Sequence, residues 1–187
     1  MKVKDRTLKI TYTAVCLALC LVLPLLTGQI VTIGNALAPM HIPVLLCGFL
    51  CGWKYGAALG FVAPLIRFAL FGMPPIMPTG VSMCFELAAY GLISGLLYVK
   101  LPKNNVFVYV SLIAAMLCGR AVWGVARFVI SLIQGAPFTF QMFLSGAFIT
   151  AVPGIICHIV LIPVIVFALR QAKLVPNAAE TDCSQAE

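Results

Sequence analysis

Six apolar segments, each long enough or nearly long enough to cross a lipid bilayer, follow one another along this chain with little between them. Crossing about 30 Å of hydrocarbon takes about 20 mostly apolar residues. A backbone in lipid must satisfy its own hydrogen bonds, so the segments are expected to be helices. They are placed at about Leu8 to Leu26, Met40 to Trp53, Tyr55 to Phe71, Thr79 to Val99, Val106 to Ile133 and Phe143 to Leu169. With 63% hydrophobic and 9% charged residues and a mean hydropathy of +1.11, the chain lacks the polar surface of a soluble domain. The expected fold is an all-α integral membrane protein of six transmembrane helices. Residues 1–173 form its single domain, and 174–187 are expected to be a polar, disordered cytoplasmic tail.

Turn-rich stretches separate the segments at Thr27 to Pro39, Gly72 to Pro78, Leu101 to Asn105 and Gln134 to Gln141. Basic residues orient the bundle, because Lys and Arg gather in cytoplasmic loops. Lys2, Lys4, Arg6, Lys9, Lys54, Lys100, Lys103, Arg170 and Lys173 all fall on one side of the six-helix map, which places both termini in the cytoplasm. The formal charge of +7 therefore reflects membrane topology and not a nucleic-acid surface. Basic residues before an apolar run, with Ala36-Leu37-Ala38 after it, resemble a secretory signal. The run is longer than a signal core, however, and Pro39 would follow the cut, so a retained first helix is expected. The fifth segment exceeds the hydrocarbon thickness and should tilt or project. Pro153 and Pro163 should kink the sixth.

Arg67, Glu86, Arg120, Arg127 and His158 lie inside these segments, and His41 begins the second. An Arg near the bilayer centre costs about 2.5 to 3.5 kcal/mol unless it is paired or faces water, so these residues are expected to face the bundle interior. Counted from the segment ends, His41, Arg67, Glu86 and Arg127 bring polar groups from four helices to one outer level. An outward-facing ligand pocket is one reading. The other is an Arg67–Glu86 ion pair with Arg127 reaching the surface. Arg120, Trp123 and Arg127 share one helix face, as do Glu86 and Tyr90. If one Arg pairs with Glu86, two remain, and the excess positive charge favours a carboxylate ligand.

Ala14 and Ala18 stand four apart in the first segment, and Gly48, Gly52, Gly56 and Gly60 repeat every fourth position around the second and third. Small residues at this spacing let helices approach closely. For the glycines this means internal packing; for the alanines the residues leave internal packing and an external partner both open. Of the eight cysteines, all but Cys183 lie in apolar stretches without CxxC or zinc-ligand spacing, and are expected to pack as small apolar residues. No cofactor or metal is expected. No HExxH, phosphate-binding glycine loop or Walker motif is present, so the chain is expected to be no enzyme and to have no ATPase of its own. Gly80-Val81-Ser82 with His158 is similar to an intramembrane serine protease pairing, but Met83 stands where that motif has Gly. A self-sufficient small-solute carrier or channel is the other alternative.

Over residues 8 to 170 the chain resembles the substrate-binding S-component of an energy-coupling factor (ECF) vitamin transporter. The features that carry the likeness are the basic N-terminus, the alanine pair, Pro39-Met40-His41-Ile42-Pro43 running into Gly48 to Gly60, Gly72-Met73-Pro74-Pro75, and Glu86-Leu87-Ala88-Ala89-Tyr90-Gly91. The resemblance implies a six-helix subunit of a multi-pass prokaryotic plasma-membrane importer. It would bind a vitamin from outside and work with a transmembrane coupling subunit and two cytosolic ATPases. It assigns Ala14 and Ala18 to the coupling subunit, and the ligand site to the region of Asn35, Glu86, Tyr90, Trp123 and Arg127. With His41, Arg67 and Arg120 from the charge reading, these are the candidate substrate-binding residues. The excess Arg favours a carboxylate such as pantothenate or nicotinate.

Overall fold

The structure, a computed structural model, describes residues 2–26, 38–102, 105–135, 137 and 139–172, and the regular structure among them is entirely helical. Helix α1 is Lys2–Leu26, α2 His41–Cys51, α3 Trp53–Phe71, α4 Val81–Lys100, α5 Asn105–Gln134, α6 Phe140–Leu144 and α7 Val152–Gln171, with π-helical turns at Ile76–Gly80 and Ser145–Ile149. Five stretches are long and apolar enough to cross a membrane: Arg6–Leu25, Trp53–Phe71, Ile76–Lys100, Asn105–Gln134 and Phe140–Gln171. These match five of the six expected segments. The remaining one, α2, has 11 residues and rises only about 16 Å, roughly half the hydrocarbon thickness. It ends at Gly52, whose φ of 91° suits glycine and lets α3 start at the next residue. The 30 residues of α5 rise about 45 Å, longer than a bilayer core, as its sequence implies.

The sixth segment is interrupted. The π turn and the residues Thr150 and Ala151 separate α6 from α7, and Pro153 lies in the first turn of α7, where its missing N–H has no helical partner to lose. The break therefore precedes Pro153, whereas Pro163 is accommodated inside α7.

Helix α4 is the centre of the bundle: it packs on α2, α3 and α5, while α1 lies on α2 and α3, and α7 on α2 and α5. Glycine makes the α3–α4 contact close. A Cβ on Gly56 would stand 2.7 Å from the Gly91 carbonyl oxygen, and one on Gly60 would strike the backbone of Leu87. These two contacts fix an antiparallel register in which each residue gained along α3 is one lost along α4. Four thiols line the α1–α2 and α2 interior, where Cys20 donates to the Met40 carbonyl and Cys51 to that of Lys9. Cys16, Cys20, Cys47, Cys51 and Cys84 are buried and free, as expected of small packing residues, whereas Cys118 is exposed and Cys157 half-buried.

The basic residues gather at one end. Gly95 of α4 meets the Gly52–Trp53 turn beside the exposed Lys54, and Arg170 of α7 donates from Nε to the Tyr98 hydroxyl at 3.0 Å, two residues from Lys100.

Candidate functional site

Six residues in from the start of α4, away from that basic end, Glu86 is 2% exposed and stands among groups from three other helices. Arg120 of α5 places Nη1 3.0 Å from Glu86 Oε1. Tyr90, one turn along α4, donates its hydroxyl to the same oxygen at 3.1 Å. His41, at the first turn of α2, brings Nε2 to 3.5 Å from it. The His41 ring meets Tyr90 edge-on at 5.0 Å and stacks on His158 of α7 at 5.8 Å. All but Arg120 are buried to 4% exposure or less, and Arg120 retains 13% of its side-chain surface.

The Arg67–Glu86 ion pair considered from the sequence is not the pair that forms; Glu86 is held by Arg120. Register explains the choice. Gly60 faces Leu87, so seven residues further along α3, Arg67 comes level with Gly80, about 9 Å beyond Glu86. On the other side of α4, Gly119 of α5 lies against the Tyr90 ring, which brings Arg120 beside Glu86 and Arg127 level with about Ser82. The polar groups thus form two tiers. The deep tier holds His41, Glu86, Tyr90, Arg120 and His158. The second tier holds Arg67 and Arg127 on helices flanking α4.

Arg127 lies over the Trp123 ring at 5.9 Å, and Trp123 stacks on Phe143 of α6 at 6.2 Å, with Gly146 leaving room for the indole edge. The shared face of Arg120, Trp123 and Arg127 is therefore turned into the bundle. Arg67 Nε and Arg127 Nη1 are buried and make no hydrogen bond among the described residues. Nor has the chain a carboxylate to give them. Between residues 6 and 179 the only acidic residue is Glu86, and Arg120 already occupies it. Asn35 lies outside the described residues.

His158 is buried in the bundle interior, and its Nε2 has no hydrogen-bond partner among the described residues. It stacks on His41 and makes no hydrogen bond to Ser82, whose hydroxyl donates to the Pro78 and Thr79 carbonyls, each at 2.9 Å. The serine–histidine pairing of a protease is thus not assembled. Ala14 and Ala18 face outward from α1, opposite its buried Cys16 and Cys20, among outward-facing Val15, Leu19 and Val22. Internal packing by the alanines is thereby excluded among the described residues. No group of three or more His, Cys, Asp or Glu among the described residues could hold a metal ion.

These features define a multi-pass, all-helical membrane protein with ionisable side chains gathered between its helices at one end. Residues 8–169 match the sequence profile of the ECF transporter substrate-specific component, and the chain belongs to that family. It is accordingly a transporter subunit and not an enzyme, one that acts on a small-molecule substrate together with an ECF module. No curated protein and no solved structure matches it.

Proposed function

We propose that the chain captures a small carboxylated, vitamin-like solute, such as pantothenate or nicotinate, and delivers it to a coupling subunit driven by two cytosolic ATPases. The solute enters from outside a prokaryotic plasma membrane, at the end of the bundle remote from Lys54, Lys100 and Arg170. The observation that carries this reading is a charge imbalance. Arg67 and Arg127 are intramembrane cations without a carboxylate, in a chain whose one interior acid is already paired. Such charges persist in a membrane when something neutralises them or water reaches them, and a carboxylate forked onto a guanidinium is a strong small partner. Trp123 and Phe143 beside Arg127 offer flat apolar faces for the rest of the solute. Ala14 and Ala18, small and outward-facing, are proposed as the contact with the coupling subunit.

The test is mass spectrometry of the protein extracted in mild detergent. A copurifying acid is expected, and its retention should drop at least tenfold in Arg127→Ala. A bound solute with no acidic group, or a carboxylate held equally by Arg127→Ala, would sink the proposal.

A further inference from the structure

At the basic end of the bundle, α4, α5 and α7 meet around a cleft with mostly apolar walls: Leu101, Pro102, Phe107 and Val108 line it together with Tyr98 and Arg170. Arg170 is held there. Its Nε donates to the Tyr98 hydroxyl at 3.0 Å, and its guanidinium lies over the Tyr98 ring at 5.3 Å and the Phe167 ring at 5.9 Å. An arginine that only snorkels keeps its guanidinium in water. This one turns inward, and its Nη2 is buried with no hydrogen-bond partner among the described residues. A buried donor left unmade is costly, and more so when it is charged. No acid of the bundle answers it. Glu86, the only one between residues 6 and 179, stands three helical turns before Tyr98 on α4 and is held by Arg120. Ser111, which also lines the cleft, already donates its hydroxyl to the Phe107 carbonyl at 2.8 Å.

The geometry points to a binding site for one anionic phospholipid in this cleft, its phosphate oxygens accepting from Arg170 and its acyl chain lying along α5. Charge and wall chemistry select the occupant together. Guanidinium N–H donors match phosphate oxygens, and basic pockets between transmembrane helices take anionic head groups. Lys100, exposed beside Leu101, adds positive charge at the rim. The apolar lining continues onto Val106, Tyr109 and Val110, which are exposed beside Phe107 on α5, and Tyr109 meets Phe167 edge-on at 6.4 Å. A free hydrophilic anion would leave that surface unmatched, whereas hydrocarbon covers it. The site is separate from both polar tiers and does not depend on which solute, if any, the chain carries.

The test is native mass spectrometry of the full chain from mixed micelles holding equal amounts of phosphatidylglycerol and phosphatidylcholine with matched acyl chains. One phosphatidylglycerol should be retained over phosphatidylcholine by about fivefold, the factor that one basic residue near an anionic lipid is worth. Arg170→Gln should abolish the preference. Lys54→Gln, which takes an exposed cation from the same end but outside the cleft, should keep it. Equal loss in the two variants would reveal diffuse surface charge and overturn the site. So would wild-type protein that retains both lipids alike, a result that requires no variant to fold. Inorganic phosphate added at matched ionic strength should leave the lipid in place; its displacement would assign the cleft to a soluble anion and overturn the lipid. None of these outcomes touches Arg127, so failure here leaves the carboxylate reading standing, and failure of that reading leaves this one standing.

Discussion

Glu86 and Arg120 need each other more than either needs a solute, and this separates two arginines that the sequence alone presents as equivalent. Removing one member of a buried ion pair leaves a charge without compensation and costs about 3 to 5 kcal/mol. Arg120→Met should therefore destabilise the protein by about that amount, read as a lowered unfolding midpoint in detergent. The double variant Glu86→Gln with Arg120→Met should recover much of the loss, since contacting groups are not additive. Arg127→Met removes no protein carboxylate partner and should change stability little while weakening solute retention. Equal destabilisation by the two single variants would contradict the tiered arrangement. The candidate polar set was legible in the sequence because charge in lipid is costly wherever it occurs. Which arginine holds Glu86 was not, because the choice depends on how α3 and α5 are registered against α4. Spacing within one helix carries no such information. The unbonded Nε2 of His158 was likewise hidden, as it depends on the neighbouring rings.

At the level of helices, the same kind of residue serves two different surfaces. Gly56 and Gly91 face each other across α3 and α4 with no space for a side chain, whereas Ala14 and Ala18 face away from every described helix. Overpacking a tight contact costs typically about 1 to 3 kcal/mol, and a substitution on an uncontacted face stays within about 0.5 kcal/mol. Gly91→Val should thus lower the yield and melting midpoint of the isolated chain. Ala14→Leu with Ala18→Leu should leave both unchanged and abolish copurification with the coupling subunit. If the alanine variant melts early while assembling normally, the outward surface of α1 is structural. The small-residue spacing was visible in both segments, yet it could not say which surface was internal. That α2 is only 11 residues long was foreshadowed by its Pro43 and short apolar run, while the break between α6 and α7 preceded the proline expected to cause it.

For the molecule as a whole, the distribution of charge sets both direction and dependence on a partner. Lys54, Lys100 and Arg170 lie together at one end, joined through the Gly95 and Tyr98 contacts, and the two polar tiers lie in the other part of the same bundle. On the proposed orientation, with the basic end in the cytoplasm, the tiers would face outward and a solute held there would have the rest of the bundle still to pass. The described interior below them is largely apolar: Leu45, Leu87, Leu112, Ala115, Ile162 and Val166 are at essentially zero exposure, and the buried Ser94 and Ser111 hydroxyls each donate to a carbonyl of their own helix. A carboxylate crossing that region would be stripped of water and of its arginines, at a cost of several kcal/mol. The chain alone should therefore bind without transporting. Purified protein in liposomes is expected to show saturable retention of the copurifying acid but no accumulation above an equilibrium binding level. Uptake should appear only when the coupling subunit and both ATPases are added with ATP. Sustained uptake by the chain alone would mean that the packed apolar layer opens by itself, as in a self-sufficient carrier, and would remove the need for an external module.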